Sequence, residues 1–320
     1  MLLVKIYLHK LDSKLIEVAE RLLLRHQNIK VVTSIADADA ILYQILDHEL
    51  IQIKDKLHVV LDMTDGFPTW GPSLGREIMF DEFFPKTSPE IDYIIFKLQM
   101  YNLSPYKHAP EHIHLISVPL LLGGSNDKWV HDLDFREDSD KYLFSKNLKP
   151  NPKNYQYNVA IVNNSNPNRN NVFAIASRLE NSKIINTFDN RMDLDSTIEI
   201  HRKSKINLSL NGQGYWCLKD GELFSRNCFN MRHSRPMINI NPLSPQNGRD
   251  WIVFEESNCL ELIDYYLKNE KERERINDTG HYYFAYCISY LYSKEYGDRI
   301  IRFLASNNEK DLQPFAIRYL

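Results

Sequence analysis

Apolar positions in this chain gather into short unbroken runs separated by polar stretches. Leu2 to Tyr7, "IKVVT", "ADAILYQIL", "KLHVVLD", "IDYIIFK" and "IHLISVPLLL" each read as a strand. Runs of this length without polar interruption suit strands buried on both faces. Between the first two, "KLIEVAERLLLRHQ" sets Leu15, Val18, Leu22 and Leu23 along one helical stripe. Strands alternating with helices and loops predict a parallel sheet covered on both sides.

The pattern lapses from Gly123 to Asn158, which is polar, charged and dotted with proline. That composition marks a connection between domains. The alternation then restarts. A strand runs to Val162, and the loop "NNSNPNRNN" leads to a helix from about Asn170. "SKIIN" is a strand. "MDLDSTIEIHRKS" is a helix with Asp195 or Ser196 as its cap. "KINLSL", "RPMININP" and "DWIVFE" are strands, and residues 258–306 form two or three closing helices with a kink near Gly280. The expected fold class is α/β, two Rossmann-like domains facing a cleft, with C-terminal helices. The expected boundaries are 1–122, a linker at 123–156, and 157–320. In such open sheets ligands collect outside the carboxyl ends of the strands.

Composition narrows the function. The chain has 320 residues, 43% hydrophobic and 25% charged, enough for a sizeable core. A net charge of -3 gives no overall basic field for nucleic acid. The 4 cysteines form no C-x-x-C pair, which argues against a zinc site and for a reducing, cytoplasmic setting. No signal peptide or apolar run long enough to span a bilayer is present. Lys14, Arg21 and Arg25 on the first helix could touch a membrane surface, although a solvated face is the plainer reading. His58 lies in a strand and belongs to the core. His112, His114, His201 and His233 form no metal-binding spacing, and there is no G-x-S-x-G elbow.

Three loops at strand ends could carry chemistry. "NGQGYWCLKDGE" places Gly212 and Gly214, out of only 11 glycines, between a strand and a helix. Asn211 opens this turn. Glycines let a backbone approach a ligand closely, and a helix N-terminus favours an anion. Lys219 adds a cation and Glu222 a partner for sugar hydroxyls. A tight turn with a solvated first helical turn is the plainer reading. "VNNSNPNRNN" offers Ser165 and Arg169 as a second anion or sugar contact, or a capped loop. "LDMTDGFPTWG" places Asp62 and Asp65 beside an aromatic turn, where a carboxylate could serve as general base, or where Asp65-Gly66 simply makes the turn and Phe67 and Trp70 pack.

Taken together, "KINLSLNGQGYWCLKDGELF", "SRPMINI", "YNVAIVNNSNPNR" and "DWIVFEESNCLELIDYYLKNEKERERINDTGHYYF" resemble the donor domain of GT-B glycosyltransferases, in particular the exostosin-like and related bacterial and viral branches. The resemblance covers roughly residues 155–300. It implies a nucleotide-sugar as co-substrate, no metal cofactor, and a glycan or lipid-linked hydroxyl acceptor. It also implies that Lys219 faces the donor diphosphate, that Glu222 holds ribose or sugar hydroxyls, and that Gly212 and Gly214 approach the phosphates. The separation of Glu222 from Pro236 is longer than the family pattern. A second register therefore makes Arg226 the basic residue and puts Asn230 in place of the glutamate. "DLD" at 132–134 and at 193–195 matches D-x-D only formally. The acceptor-side base would be Asp65, with Asp62 as second choice. Two other classes stay open: a non-catalytic two-lobed binding protein and a nucleotide-sugar epimerase.

Overall fold

The computed structural model describes residues 3–62, 83–97, 110–117, 154–163, 169–187, 192–210, 218–234, 245–288 and 290–305. Two parallel sheets organise them. The first holds six strands in the order β2-β1-β3-β4-β5-β6: Val4–Leu8 (β1), Ile29–Val32 (β2), Ala40–Gln44 (β3), Leu57–Asp62 (β4), Tyr93–Lys97 (β5) and Ile113–Ser117 (β6). The second holds five in the order β11-β10-β9-β7-β8: Tyr157–Asn163 (β7), Ser182–Asn186 (β8), Ser204–Ser209 (β9), Asn230–His233 (β10) and Ile252–Phe254 (β11). Every strand pairing is parallel, so each sheet needs cover on both faces. β4 shows the consequence, since all six of its residues are buried.

The helices are α1 (Ser13–Ala19), α2 (Asn170–Ala176), α3 (Leu194–Arg202), α4 (Leu218–Ser225), α5 (Cys259–Lys268), α6 (Glu270–Ile288) and α7 (Tyr290–Ala305). α1 runs on into a wider π-type turn over Glu20–Leu24, which extends the stripe of Leu15 and Val18 to Leu23. The cap of α3 is Asp193 rather than Asp195 or Ser196: its carboxylate accepts the Ser196 N–H at 2.8 Å. That role also accounts for the second D-x-D match. The strand expected in "RPMININP" falls outside the described residues. The strand that is described, β10, lies earlier, in the polar segment Asn230–His233. A polar sequence concealed it, because its polar side chains are buried against α4.

α6 is one continuous helix through Gly280. The glycine serves packing. A Cβ there would stand 2.4 Å from the backbone oxygen of Asp250 and 2.8 Å from the Phe224 ring. α7 lies against the first sheet, not the second. Tyr296 meets Phe96, Phe303 meets His114, and His26 Nε2 donates to Asp298 at 2.8 Å. One apolar cluster joins β1, β3, β4 and β5 to Phe224, Trp251, Tyr283 and Tyr296, so the two halves share a core. Among the described residues no helix is long and apolar enough to cross a membrane.

Candidate functional site

The second sheet has two unlike faces. Ile206, Leu208, Phe229, Met231 and Phe254 point to α2 and α5 and form an apolar cluster with Val172 and Ile263. Side chains alternate along a strand, so Asn207, Ser209, Asn230 and Arg232 point the other way, toward α3 and α4. All four are buried. This buried polar layer holds the start of α4.

Asp220, in the first turn of α4, is its centre. Its carboxylate forms a buried ion pair with Arg232 and accepts from Asn230 Nδ2 at 3.0 Å. The Arg232 guanidinium lies 4.9 Å from the centre of the Trp251 ring, a cation–π contact. The pair therefore pins the start of α4 to β10. Asn230, which the second register put in place of the donor glutamate, joins this anchor through its Nδ2, while its buried Oδ1 makes no hydrogen bond among the described residues.

Lys219 and Glu222 flank the anchored residue. They lie one turn apart and pair with each other at 2.7 Å, at 14% and 15% side-chain exposure. Arg226 follows the helix, and its N–H donates to the Glu222 carbonyl. Beneath Lys219 sits His201, whose Nδ1 donates to Asn207 Oδ1 at 2.7 Å. Asn207 Nδ2 donates back to the His201 carbonyl at 3.2 Å. His201 is fully buried. Burial first, and the nearby Lys219 cation second, push its pKa down to about 3.

A buried histidine of this kind makes stability depend on pH. The folded imidazole stays neutral, whereas the unfolded one binds a proton below its ordinary value near 6.5. Stability is therefore complete above that value and falls as pH drops from about 6.5 toward about 3. The expected slope from this residue is about 1.4 kcal/mol per pH unit. Urea titrations at pH 7, 6 and 5 measure it, and the slope should flatten in His201→Gln.

The carboxyl edge of this sheet holds the position where a ligand is expected. From β7 the chain goes to β8 on one side, then returns to β9 on the other. The edge between β7 and β9 is thus a topological switch point. Asn163 ends β7 and Ser209 ends β9. Asn163 Nδ2 and Ser209 Oγ are both shielded from solvent and make no hydrogen bond among the described residues. Buried polar atoms left without a partner are costly, so such groups suit a ligand. Arg169, buried just before α2, stands on the same side, after β7.

Sequence reading missed Asn163 and Ser209. The signal available for Ser209 was the alternation in "KINLSL", which separates Asn207 and Ser209 from Ile206 and Leu208. Ser165, Asn211, Gly212, Gly214 and Asp65 lie outside the described residues. Asp62 ends β4, fully buried, in register with Lys97.

The first sheet has the same kind of switch point, between β1 and β3. His9 follows β1, and Asp47 and Glu49 follow β3. The ligand atoms of these three residues lie within 4.8 Å of one another. His9 was not singled out in the sequence, since nothing local ties it to residues about 40 positions away.

No protein-family model matches the chain, and no curated protein matches it. Solved structures do. An α1,3-fucosyltransferase with GDP matches at 13% identity and TM-score 0.50, over 96% of this chain and 91% of that one. Anabaena HepE in complex with UDP matches at 8% identity and TM-score 0.50, over 95% of this chain and all of that one. A GtfA/B complex matches at 8% identity and TM-score 0.50, over 85% and 59%. Similarity at this level establishes the architecture: the chain has the two-sheet GT-B fold found in glycosyltransferases.

Proposed function

We propose that this chain is a glycosyltransferase that moves a sugar from a nucleoside-diphosphate sugar to a hydroxyl on a glycan or lipid-linked acceptor. The observation that carries the reading is the carboxyl edge of the second sheet. There, at the switch point of a GT-B fold, Asn163 and Ser209 end adjacent strands with buried polar atoms that have no partner among the described residues. The neighbours crystallised with GDP and UDP support a nucleotide as the ligand.

In this reading the sugar bond breaks as negative charge builds on the leaving diphosphate. The N-terminus of α4 and the Lys219 ammonium stabilise that charge without a bound metal. Lys219 and Glu222 neutralise each other before the donor arrives. The donor must therefore divide the pair, with phosphate taking Lys219 and sugar or ribose hydroxyls taking Glu222. The Asp220–Arg232 anchor keeps the helix start fixed while the partners exchange. Arg169 would meet the diphosphate from the β7 side, and Ser165, Asn211, Gly212 and Gly214 are the further donor contacts expected from the sequence. Arg226 stays the alternative cation.

Calorimetry with UDP, GDP, CMP and their sugars tests the assignment. One nucleotide class should bind. Lys219→Ala should weaken binding of the diphosphate by about tenfold or more, the size of a charge-assisted hydrogen bond. Glu222→Ala should weaken the nucleotide-sugar by a similar factor. Unchanged binding in both variants would remove α4 from the donor site, and no binding of any nucleotide would remove the reading itself.

A further inference from the structure

We infer that His201 is the positioning residue of the Lys219 ammonium: its Nε2 lone pair takes one ammonium proton while the donor diphosphate takes another. The inference rests on the transferase reading above and adds how the cation is held once Glu222 turns to the sugar.

His201 lies in the last turn of α3, and Asn207 of β9 fixes its tautomer. An amide oxygen only accepts, so the Nδ1 that meets Asn207 Oδ1 at 2.7 Å carries the proton. The amide is oriented in turn, since Asn207 Nδ2 donates to the His201 carbonyl at 3.2 Å. Burial keeps the ring neutral, so Nε2 holds a lone pair and no proton. That atom is shielded from solvent and has no partner among the described residues. Flipping the ring to find one would give up the bond to Asn207. A buried acceptor in this state is costly unless a donor reaches it.

Lys219 has what Nε2 lacks. An ammonium carries three protons, and the bond to Glu222 Oε2 at 2.7 Å uses one of them. The Lys219 side chain is mostly enclosed, so its head is not out in bulk solvent. Its charge reaches the His201 ring, where it is the second cause, after burial, of the lowered pKa. The other charged groups on the facing elements are matched. Asp220 of α4 pairs with Arg232 of β10, and Glu222 pairs with Lys219 itself. A cation that opposes an imidazolium is attracted by a neutral lone pair. Ser209 Oγ and Asn230 Oδ1, in the same buried layer, also have no partner among the described residues. Nε2 and Oδ1 can only accept, so this layer calls for a donor of protons, which the cation is.

The choice of an uncharged group has a consequence for binding. Once sugar or ribose hydroxyls take Glu222, the ammonium sits on a long flexible stem with no second anchor, and ordering it costs affinity. A second carboxylate would anchor it but would also cancel its charge. A neutral imidazole anchors it and leaves the charge for the diphosphate. No covalent bond changes in this step, and no proton passes to the ring.

The test is calorimetry on the full-length chain with UDP and GDP. His201→Leu should weaken the diphosphate that binds by about tenfold, the size of one hydrogen bond to a charged group. His201→Gln should stay within about threefold of wild type, because its amide can donate to Asn207 and accept from Lys219. In a Lys219→Ala background, His201→Leu should change the diphosphate Kd by less than about twofold, since the group it positions is gone. Asn207→Asp keeps the ring in place and changes its charge. A carboxylate at Nδ1 favours the imidazolium, whose Nε2–H cannot accept. Diphosphate binding to that variant should weaken as pH falls through the raised imidazole pKa and recover at higher pH. Wild-type affinity in His201→Leu would overturn the inference and leave the donor site standing. So would losses that add in the double variant, as a structural fault would, or diphosphate binding to Asn207→Asp that tightens on acidification. Wild-type binding in Lys219→Ala would take the cation, and this inference, out of the site. No nucleotide binding at all would remove the transferase reading as well.

Discussion

Asp220→Ala should destabilise the protein by about 3–5 kcal/mol, the cost of leaving one member of a buried ion pair without its partner. Asp220 and Arg232 are both enclosed, and the same carboxylate accepts from Asn230. Removing it leaves a buried guanidinium beneath α4 without its carboxylate. The expected measurement is a lower urea midpoint. The double variant Asp220→Ala, Arg232→Met should recover much of the loss, because removing both charges removes the uncompensated one. If the double variant is as unstable as the single, the pair is not what holds this region.

Function should follow a different course. The recovered double variant has an apolar contact in place of a directional one. Its α4 start, with Lys219 and Glu222, is no longer fixed by two hydrogen bonds and a ring contact. Stability regained without nucleotide binding would separate anchoring of the site from folding of the domain.

Gly280→Ala should cost about 3 kcal/mol, at the upper end of what inserting a methyl group into a packed site costs. Its Cβ would meet the Asp250 carbonyl at 2.4 Å, well inside contact distance. The obstacle is backbone and cannot rotate away. Asp250 is itself held, since its carboxylate accepts the Gln246 N–H at 2.8 Å and pairs with Arg249 at 2.7 Å. Phe224 on the other side belongs to the cluster shared by both halves. α6 must therefore shift, and the shared core with it. A denaturant midpoint equal to wild type would show that the helix can move at little cost. Gly297→Ala is the companion case: its Cβ would stand 2.7 Å from Cβ, Cγ and Cδ2 of His26, a buried ring held by Asp298 at Nε2 and by the Asn28 N–H at Nδ1.

These effects show which features were legible in the sequence. "KLHVVLD" and "IDYIIFK" became β4 and β5 because an unbroken apolar run admits few other fates in a covered parallel sheet. His58 belongs to the core as expected: it is buried, its ring bonds to Tyr43 and to the Ile53 carbonyl, and burial lowers its pKa. The order of strand, glycine turn and helix around β9 and α4 led to the GT-B resemblance, and the fold agrees with it. The cap of α3 was misplaced by two residues, since Asp193, Asp195 and Ser196 are all good caps and only geometry chooses among them. β10 escaped notice because its polar side chains are buried against α4, where Asp220 takes both Asn230 and Arg232.

The sequence alone determined the elements and the class of fold, because hydrophobic periodicity reports what each segment must bury within a few neighbouring residues. Tertiary structure alone decided which polar groups meet. His26 reaches Asp298 across 272 positions, His9 reaches Glu49 across 40, and Asp220 is matched to Arg232 from a helix to a strand. Each pairing depends on how sheets and helices pack, and no local pattern encodes it. The same holds for α7, whose apolar stripe would suit either sheet and which the packing of Tyr296 and Phe303 assigns to the first.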